Sequence, residues 1–414
     1  MRRWAIITAA AALLLSGCAG KETARSVSEQ RTLTVVLWDY DKESYDRHLV
    51  EAFEECHPGV RVNVISYPDS YYDQKMESML IGGGEADVFY TRTSGSLYKL
   101  YKYGAAWPLD GLVESYGLDL QDDPVLDGLR CDGHLLGVPY RNDHYVLYYN
   151  CDLFDRAGIE YPDKDITWEE IPELAKKLQD HLDPGEYAMM TLPMDVQWVS
   201  SGRTGTEKLN EETADSIAPI MELLNGMQKD GTTKTYRECI AEDIQQQCFE
   251  SGKYGMYVGG TWYQNYLTSD SGRGCFDFQW GVAAAPHWGT QAQAGKKSIL
   301  SGVCISSRSS DKKLAYDYLK FVTGSEGAAI MAEEQMVPAF LDSKIETIYQ
   351  ENFAGKVLDV DLSDEKGIPD RLDENYSEIQ QIYGEEFRKC VTGQETIEEA
   401  CRAIRERIPV DNGS

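Results

Sequence analysis

Apolar positions from residue 33 onward follow two rhythms. Leu33 to Trp38 is a nearly unbroken apolar run with the length of a buried strand. Tyr45, Leu49 and Phe53 then recur four apart, as on one face of a helix, and His57-Pro58-Gly59 stops that helix. Val60, Val62 and Val64 alternate as a second strand. Another helix is expected from about Tyr71 to Leu80, broken by Gly82-Gly83-Gly84, and Ala86 to Tyr90 reads as a third strand. Strand, helix, strand, helix, strand predicts an α/β fold with a parallel sheet covered by helices on both faces. The glycine run has no Lys-Ser/Thr ending and precedes a strand, so it reads as a helix stop and not as a phosphate loop.

Farther along, His134 to Val138 and Tyr145 to Tyr149 read as strands flanking Pro139-Tyr140-Arg141-Asn142-Asp143. A helix is expected from Thr167 to Asp180, with Thr167 as N-cap and Glu169 and Glu170 at the positive end of its dipole. Thr213 to Lys229 reads as an amphipathic helix and Gly281 to Ala285 as a short strand. Lys312 to Val322 reads as a helix with Leu314, Tyr318 and Phe321 inward. The tail from about Ser377 is helical, with a break near Thr392-Gly393. No repeat or low-complexity tract interrupts this order.

The first 31 residues have another pattern. Arg2 and Arg3 give a basic start, and the apolar run Ala5 to Leu15 is too short to span a bilayer. Leu15-Ser16-Gly17-Cys18 resembles the bacterial lipobox. That resemblance implies a signal peptide over 1–17, cleavage before Cys18, and acylation of Cys18 (palmitate among the chains). Residues 18–31 then form a polar, lipid-anchored tether. The other reading is a plain secretory signal with Cys18 present by chance. No second apolar stretch can span a membrane. The expected location is the extracytoplasmic face of the cell membrane, with contact through the lipid alone.

A chain of 414 residues has room for two domains. Its 40 Lys+Arg against 69 Asp+Glu give a net charge of -29, and loss of Arg2 and Arg3 with the leader takes this to -31. Such a polyanion is no nucleic-acid partner, and the charge serves solubility. Lipidation of Cys18 leaves nine of the 10 cysteines. Cys239 and Cys248 are expected on one helical stretch, too far apart along its axis to pair, and the remainder read as small buried hydrophobes. The absence of Cys-x-x-Cys, of Gly-x-Ser-x-Gly and of His-Glu-x-x-His, with only 6 dispersed histidines, argues against metal, cofactor and enzyme chemistry. A glycosidase dyad of Asp39 and Asp143 is the enzymatic alternative.

Three segments carry a family resemblance. The first runs Gly137-Val138-Pro139-Tyr140, Leu147-Tyr148-Tyr149-Asn150, Leu153-Phe154, Ala157-Gly158, Pro162 and Thr167-Trp168-Glu169-Glu170. The second is Phe249-Glu250-Ser251-Gly252-Lys253-Tyr254-Gly255-Met256 with Gly260-Thr261-Trp262. The third is Ser301-Gly302-Val303 through Lys312, Ala315, Tyr318, Leu319, Phe321 and Gly324-Ser325. In order and spacing they resemble the family 1 extracellular solute-binding proteins of ABC importers, the group containing maltose-binding protein. The resemblance implies a two-lobed, periplasmic-binding-protein-like fold with discontinuous lobes hinged about a central cleft. The N-terminal lobe would be 32–140 plus 301–340 and the C-terminal lobe 141–300 plus 341–414, with crossovers near Tyr140 to Asp143 and Ser298 to Gly302. It also implies a monomer that hands its ligand to ABC permease subunits and performs no catalysis. A lipoprotein presenting ligand to a receptor kinase has the same fold and is the alternative.

Flat aromatic rings cover the apolar faces of sugars, and polar side chains take the hydroxyls. Trp38, Asp39 and Tyr40 follow the first strand at its carboxyl end, where open α/β sheets bind ligands. Tyr90 and Arg92 follow the third strand at the same edge. Trp38 equally suits the lobe's core, Asp39 a helix cap and Arg92 a surface cation. The resemblance adds Asp143, seven residues before Asn150, and Trp262 after Gly260-Thr261. Trp198, read as a loop residue, and Trp288 are further stacking candidates, while Trp168 reads as packing. Arg92 alone against Asp39, Asp41 and Asp143 favours a neutral hydroxylated ligand, a small-molecule carbohydrate.

Overall fold

The computed structural model describes residues 30–42, 44–92, 95–116, 124–201, 209–289, 299–353, 358–359 and 375–408. The leader, Cys18, the tether up to residue 29 and the Ser298 end of the second crossover lie outside the described residues. In chain order the strands are β1 (Arg31–Trp38), β2 (Val60–Tyr67), β3 (Val88–Thr91), β4 (Arg130–Cys131), β5 (His134–Leu135), β6 (Gly137–Asp143), β7 (Tyr145–Asn150), β8 (Tyr187–Met190), β9 (Tyr254–Gly260), β10 (Trp280–Ala284), β11 (Ile299–Ile305) and β12 (Leu358–Asp359).

Two five-stranded sheets organise the chain, in the orders β2-β1-β3-β11-β6 and β12-β10-β7-β9-β8, with β4 and β5 as a small hairpin. β1 pairs parallel with β2 and β3, as the strand–helix alternation requires. The sheets are nevertheless mixed: β11 runs antiparallel to β3 and β6, and β7 antiparallel to β9 and β10. In the first sheet parallel pairing holds only among β1, β2 and β3, because the chain leaves that sheet through β6 and returns to it through β11; in the second, β8 is parallel to β9 and β12 to β10.

The first core joins Leu33, Val36, Leu49, Phe53, Val88 and Leu97 to Val303, Leu314 and Leu319, although these stand far apart in sequence. Tyr45, Leu49 and Phe53 of the helix Ser44–Cys56 are fully buried, as their four-residue spacing requires. Two further clusters flank the second sheet, one holding Leu147, Trp168, Met256, Phe387 and Ile404, the other Tyr148, Phe249, Tyr263 and Val282. The helix Ser343–Asn352 packs Ile345 and Tyr349 against Ala328 and Ala332 of the helix Ser325–Glu333. Its Tyr349 hydroxyl also donates to Gln264 of the helix Tyr263–Gly272, and Asn265 of that helix donates to the Glu334 carbonyl at 2.6 Å. These bonds tie the helices of one sheet to those of the other.

Three local expectations are corrected. The helix expected from Thr167 starts at Ile171. Glu170 folds its carboxylate back onto the Thr167 N–H (2.9 Å) and hydroxyl (2.7 Å), closing a turn ahead of the helix. The helix expected from Thr213 begins as a 3-10 turn, Ala214–Ile217, and becomes α-helical at Ala218, where Pro219 occupies a first-turn position that needs no donor. Cys239 and Cys248 do not share a helix: Asp243, at φ 51, ends the helix Tyr236–Ala241 before the turn Gln246–Ser251. Cys131, Cys239, Cys304, Cys390 and Cys401 are buried free thiols, whereas Cys56 and Cys275 are exposed. Burial pushes the Cys239 thiol up to about 12, which keeps it protonated and unreactive at neutral pH.

Candidate functional site

Strand directions place the chemistry. β1, β2 and β3 end together at Trp38, Tyr67 and Thr91. β11 runs against them, so Gly302 at its midpoint pairs with Thr91, and β6, reversed again, ends at Asp143 beside Ile299. Trp38, Arg92 and Asp143 therefore share the carboxyl edge of the first sheet. In the second sheet, Tyr145 at the start of β7 pairs with Gly260 at the end of β9, and Val146 with Ala284 at the end of β10. β8 runs parallel to β9, so its end at Met190 belongs to the same edge. Only His144 separates Asp143 from Tyr145, so the two carboxyl edges meet at a single residue.

A buried charge network lies at that junction. The Asp143 side chain is 1% exposed and accepts from Arg141 Nε (2.9 Å) and Nη2 (2.5 Å) on one oxygen. Its other oxygen accepts the Thr261 hydroxyl at 2.7 Å. Arg141 donates its remaining Nη1 to the Tyr45 hydroxyl at 2.8 Å, with its guanidinium over the Tyr45 and Tyr140 rings. The Thr261 N–H donates to the His144 carbonyl at 3.0 Å. Both oxygens of Asp143 are thus engaged within the protein, and the network binds β6 to the end of β9.

Trp262 follows directly. It is half-buried and packs against the cores of both sheets. Its indole N–H donates to Gln246 Oε1 at 3.2 Å, and its ring meets Tyr145 edge-on at 6.2 Å. The ring lies across Gly260, where an added Cβ would overlap it, so glycine is required there.

On the first edge, Trp38 and Tyr90 are buried. Trp38 stands edge-on to Tyr72 (5.3 Å) and Tyr90 (6.3 Å), and the Tyr90 hydroxyl meets that of Tyr318 at 3.1 Å. Asp39 adopts the left-handed conformation (φ 43), a strained position that asparagine and aspartate tolerate best. Its carboxylate accepts the Asp69 N–H at 3.3 Å and pairs with Lys42 at 3.1 Å. Tyr40 is half-buried, and desolvation together with Glu51 and Asp46 holds its phenol above the ordinary value. Arg92 donates to Asp73 at 2.6 Å and pairs with Asp69. Burial alone would lower its basicity, but the two carboxylates outweigh that and keep it charged. Its positive charge is neutralised before any ligand arrives.

On the second edge, Trp198 is not in a loop but on the helix Asp195–Ser201, and its ring is buried. Its indole N–H donates to the Leu192 carbonyl at 2.9 Å and its ring packs on Trp168. Trp288 is half-buried, its ring 6.2 Å from that of Trp168. The candidates divide accordingly. Trp38, Tyr90, Asp143 and Trp198 are packed inside the lobes, whereas Tyr40, Arg92, Trp262 and Trp288 keep part of their surface open. Sequence reasoning missed Arg141, Tyr45, Thr261, Tyr145, Asp69 and Asp73. A strand's alternation puts Arg141 and Asp143 on one face, and the four-residue spacing of Asp69 and Asp73 suits a single cation between them.

Among the described residues, no group of three or more His, Cys, Asp or Glu is placed to hold a metal ion, and no helix is long and apolar enough to cross a membrane. The profile of the bacterial extracellular solute-binding proteins matches residues 39–329. A putative binding protein of Brucella abortus is 25% identical over 300 residues, 70% of this chain and 71% of that protein. A mannitol-binding protein of Pseudomonas aeruginosa is 30% identical over 162 residues, 38% of this chain and 36% of that protein. The fold is similar to that of a sugar transporter from Rhizobium etli solved in an open conformation, with a TM-score of 0.74, 25% identity, and 91% of this chain and 98% of that chain covered.

Proposed function

The chain belongs to the bacterial extracellular solute-binding proteins, a family of transport proteins and not of enzymes, and from that premise we propose that it is the substrate-binding lipoprotein of an ABC importer for a neutral, hydroxyl-rich solute. The ligand is a sugar, an oligosaccharide or a polyol, held between the two carboxyl edges and handed as a closed complex to the permease subunits. The protein acts as a monomer, attached outside the membrane by acyl chains on Cys18. Its lobes are 32–140 plus 301–340 and 141–300 plus 341–414, with the helix Ser343–Asn352 bridging them.

The observation that carries this reading is the meeting of the two carboxyl edges at His144, with Trp262 half-buried between their cores. An indole in that position offers a face to a sugar ring's C–H groups. Tyr40, Tyr145 and Trp288 add ring surface, and Asp39 supplies a carboxylate for hydroxyls. The neutralised Arg92 supports a ligand without net negative charge. The names of the mannitol-binding and sugar-transporting relatives support the same solute class. Contacts to both edges exist only in the closed form, so ligand shifts the population toward closure.

The test is a melting-temperature screen of the purified protein against mannitol and other polyols, monosaccharides, oligosaccharides, amino acids and glycerol 3-phosphate. A ligand specific for the native state raises the transition. A neutral polyol or saccharide is expected to give the largest rise. A rise produced only by charged solutes or amino acids would overturn the carbohydrate assignment.

A further inference from the structure

The opposite edge of the first sheet, away from the cleft, carries an exposed aromatic pair. β11 ends there at Ile305, beside Val88 at the start of β3. After the helix Gly95–Lys102 the chain returns to this edge: Ala106 bridges Ser306, and the Trp107 N–H donates to the Ile305 carbonyl at 2.8 Å. Trp107 is 41% exposed and Tyr103 67% exposed, and Tyr98 and Tyr101 on the preceding helix are half-buried. The Lys312 ammonium stands 4.8 Å over the Trp107 ring, and that of Lys102 5.1 Å over the Tyr98 ring. Charge here is locally balanced, since Lys102 pairs with Asp132 at 2.9 Å and Lys99 with Glu77 at 2.6 Å.

The tether joins the fold at the same place. β1 begins at Arg31 on this edge, and Arg31 pairs with Asp311, the N-cap of the helix Lys312–Thr323. The next residue, Lys312, is the one that covers Trp107. Arg31 lies thirteen chain steps beyond Cys18, so this edge stands at most about 45 Å from the anchored cysteine.

We propose that this amino edge is the membrane-facing surface of the lipidated protein, with Trp107 and Tyr103 seated among the phospholipid headgroups and the cleft turned toward the solution. The proposal rests on acylation of Cys18 as read above, and it amends the expectation that the lipid alone touches the bilayer. Indole and phenol rings favour the headgroup level, where one side is wet and the other apolar. The lipidated chain, at -31 once Arg2 and Arg3 have left with the leader, is repelled by anionic lipids. The face it turns to them is one where Glu77, Asp132 and Asp311 are each paired with a lysine or arginine and Trp107 and Tyr103 protrude. Resting on this end keeps the opposite edge open to arriving solute, and delivery then requires the molecule to tip toward the permease.

The test uses the full lipidated protein in phosphatidylcholine–phosphatidylglycerol vesicles whose acyl chains are brominated and quench nearby indoles. Of the 8 tryptophans, Trp4 lies in the leader, so roughly one part in seven of the emission is expected to be quenched. Trp107→Phe should abolish that loss, and Tyr103→Trp should deepen it. Both variants should keep the wild-type melting temperature and ligand-induced melting shift, which separates this outcome from failure of the solute-binding reading. Equal quenching in wild type and Trp107→Phe overturns the proposal. A protein without the mass of a lipid on Cys18 overturns it together with the anchor. Trp107-dependent self-association of the unlipidated chain in sedimentation also overturns it, by assigning this face to a second copy.

Discussion

Asp143 shows how far a residue's position and its role can diverge. It lies on the carboxyl edge proposed to face the ligand, yet both its oxygens are spent on Arg141 and Thr261. Asp143→Asn leaves the Arg141 charge buried without its partner, and breaking such a pair costs about 3–5 kcal/mol. Chemical denaturation should read that loss directly. Trp262 makes the contrasting prediction. Trp262→Ala removes a half-buried ring, and ligand affinity should fall by about 2 kcal/mol, roughly thirtyfold, while the fold persists. Gly260→Ala should reproduce much of that loss by displacing the indole, and calorimetric titration checks both. Trp198→Ala should do the reverse, destabilising the protein by about 3–5 kcal/mol through the cavity it leaves beside Trp168. Chain position told which tryptophans follow strand ends; it did not tell which ring turns inward. That depends on partners such as the Leu192 carbonyl and the glycine at 260, which are near in space for reasons of tertiary packing.

Elements were legible where one periodicity dominated. The β1 run and the Tyr45-Leu49-Phe53 face bury as their spacing demands, while the valines of the edge strand β2 alternate with exposed residues but only Val60 is buried and Val62 and Val64 are half-buried. The antiparallel return of β11 was not legible, because a short apolar run carries no sign of its neighbour's direction. Short helices such as Asp195–Ser201, built from few residues with mixed preferences, also escaped detection. The turn Gln246–Ser251 and the helix Tyr263–Gly272 carry a pH effect. Burial, reinforced by Asp270, holds the Glu250 carboxyl up to about 7, while the Tyr263 hydroxyl at 3.1 Å and Arg273 oppose the rise. Between its ordinary value of 4.5 and about 7 the native state keeps a proton that the unfolded chain has released. Stability at this group therefore falls as pH rises through that window and is flat outside it. Urea midpoints taken at about pH 5 and about pH 8 should drop more in the wild type than in Glu250→Gln.

At the level of the whole molecule, the two sheets are tied together at a few points beside the crossover. The ties are concrete: Asp143 to Thr261, Asn265 to the Glu334 carbonyl, and Tyr349 to Gln264. They gather beside the crossover and leave rigid rotation about it as the available motion. A ligand that touches Trp262 and the first sheet's edge together gains its second set of contacts only on closure. Small-angle scattering of the protein, alone and saturated with the saccharide or polyol that most raises its melting temperature, measures this directly. The account predicts a smaller radius of gyration with ligand, and a Trp262→Ala variant that needs far more ligand to reach it. Identical scattering profiles at saturation would contradict it.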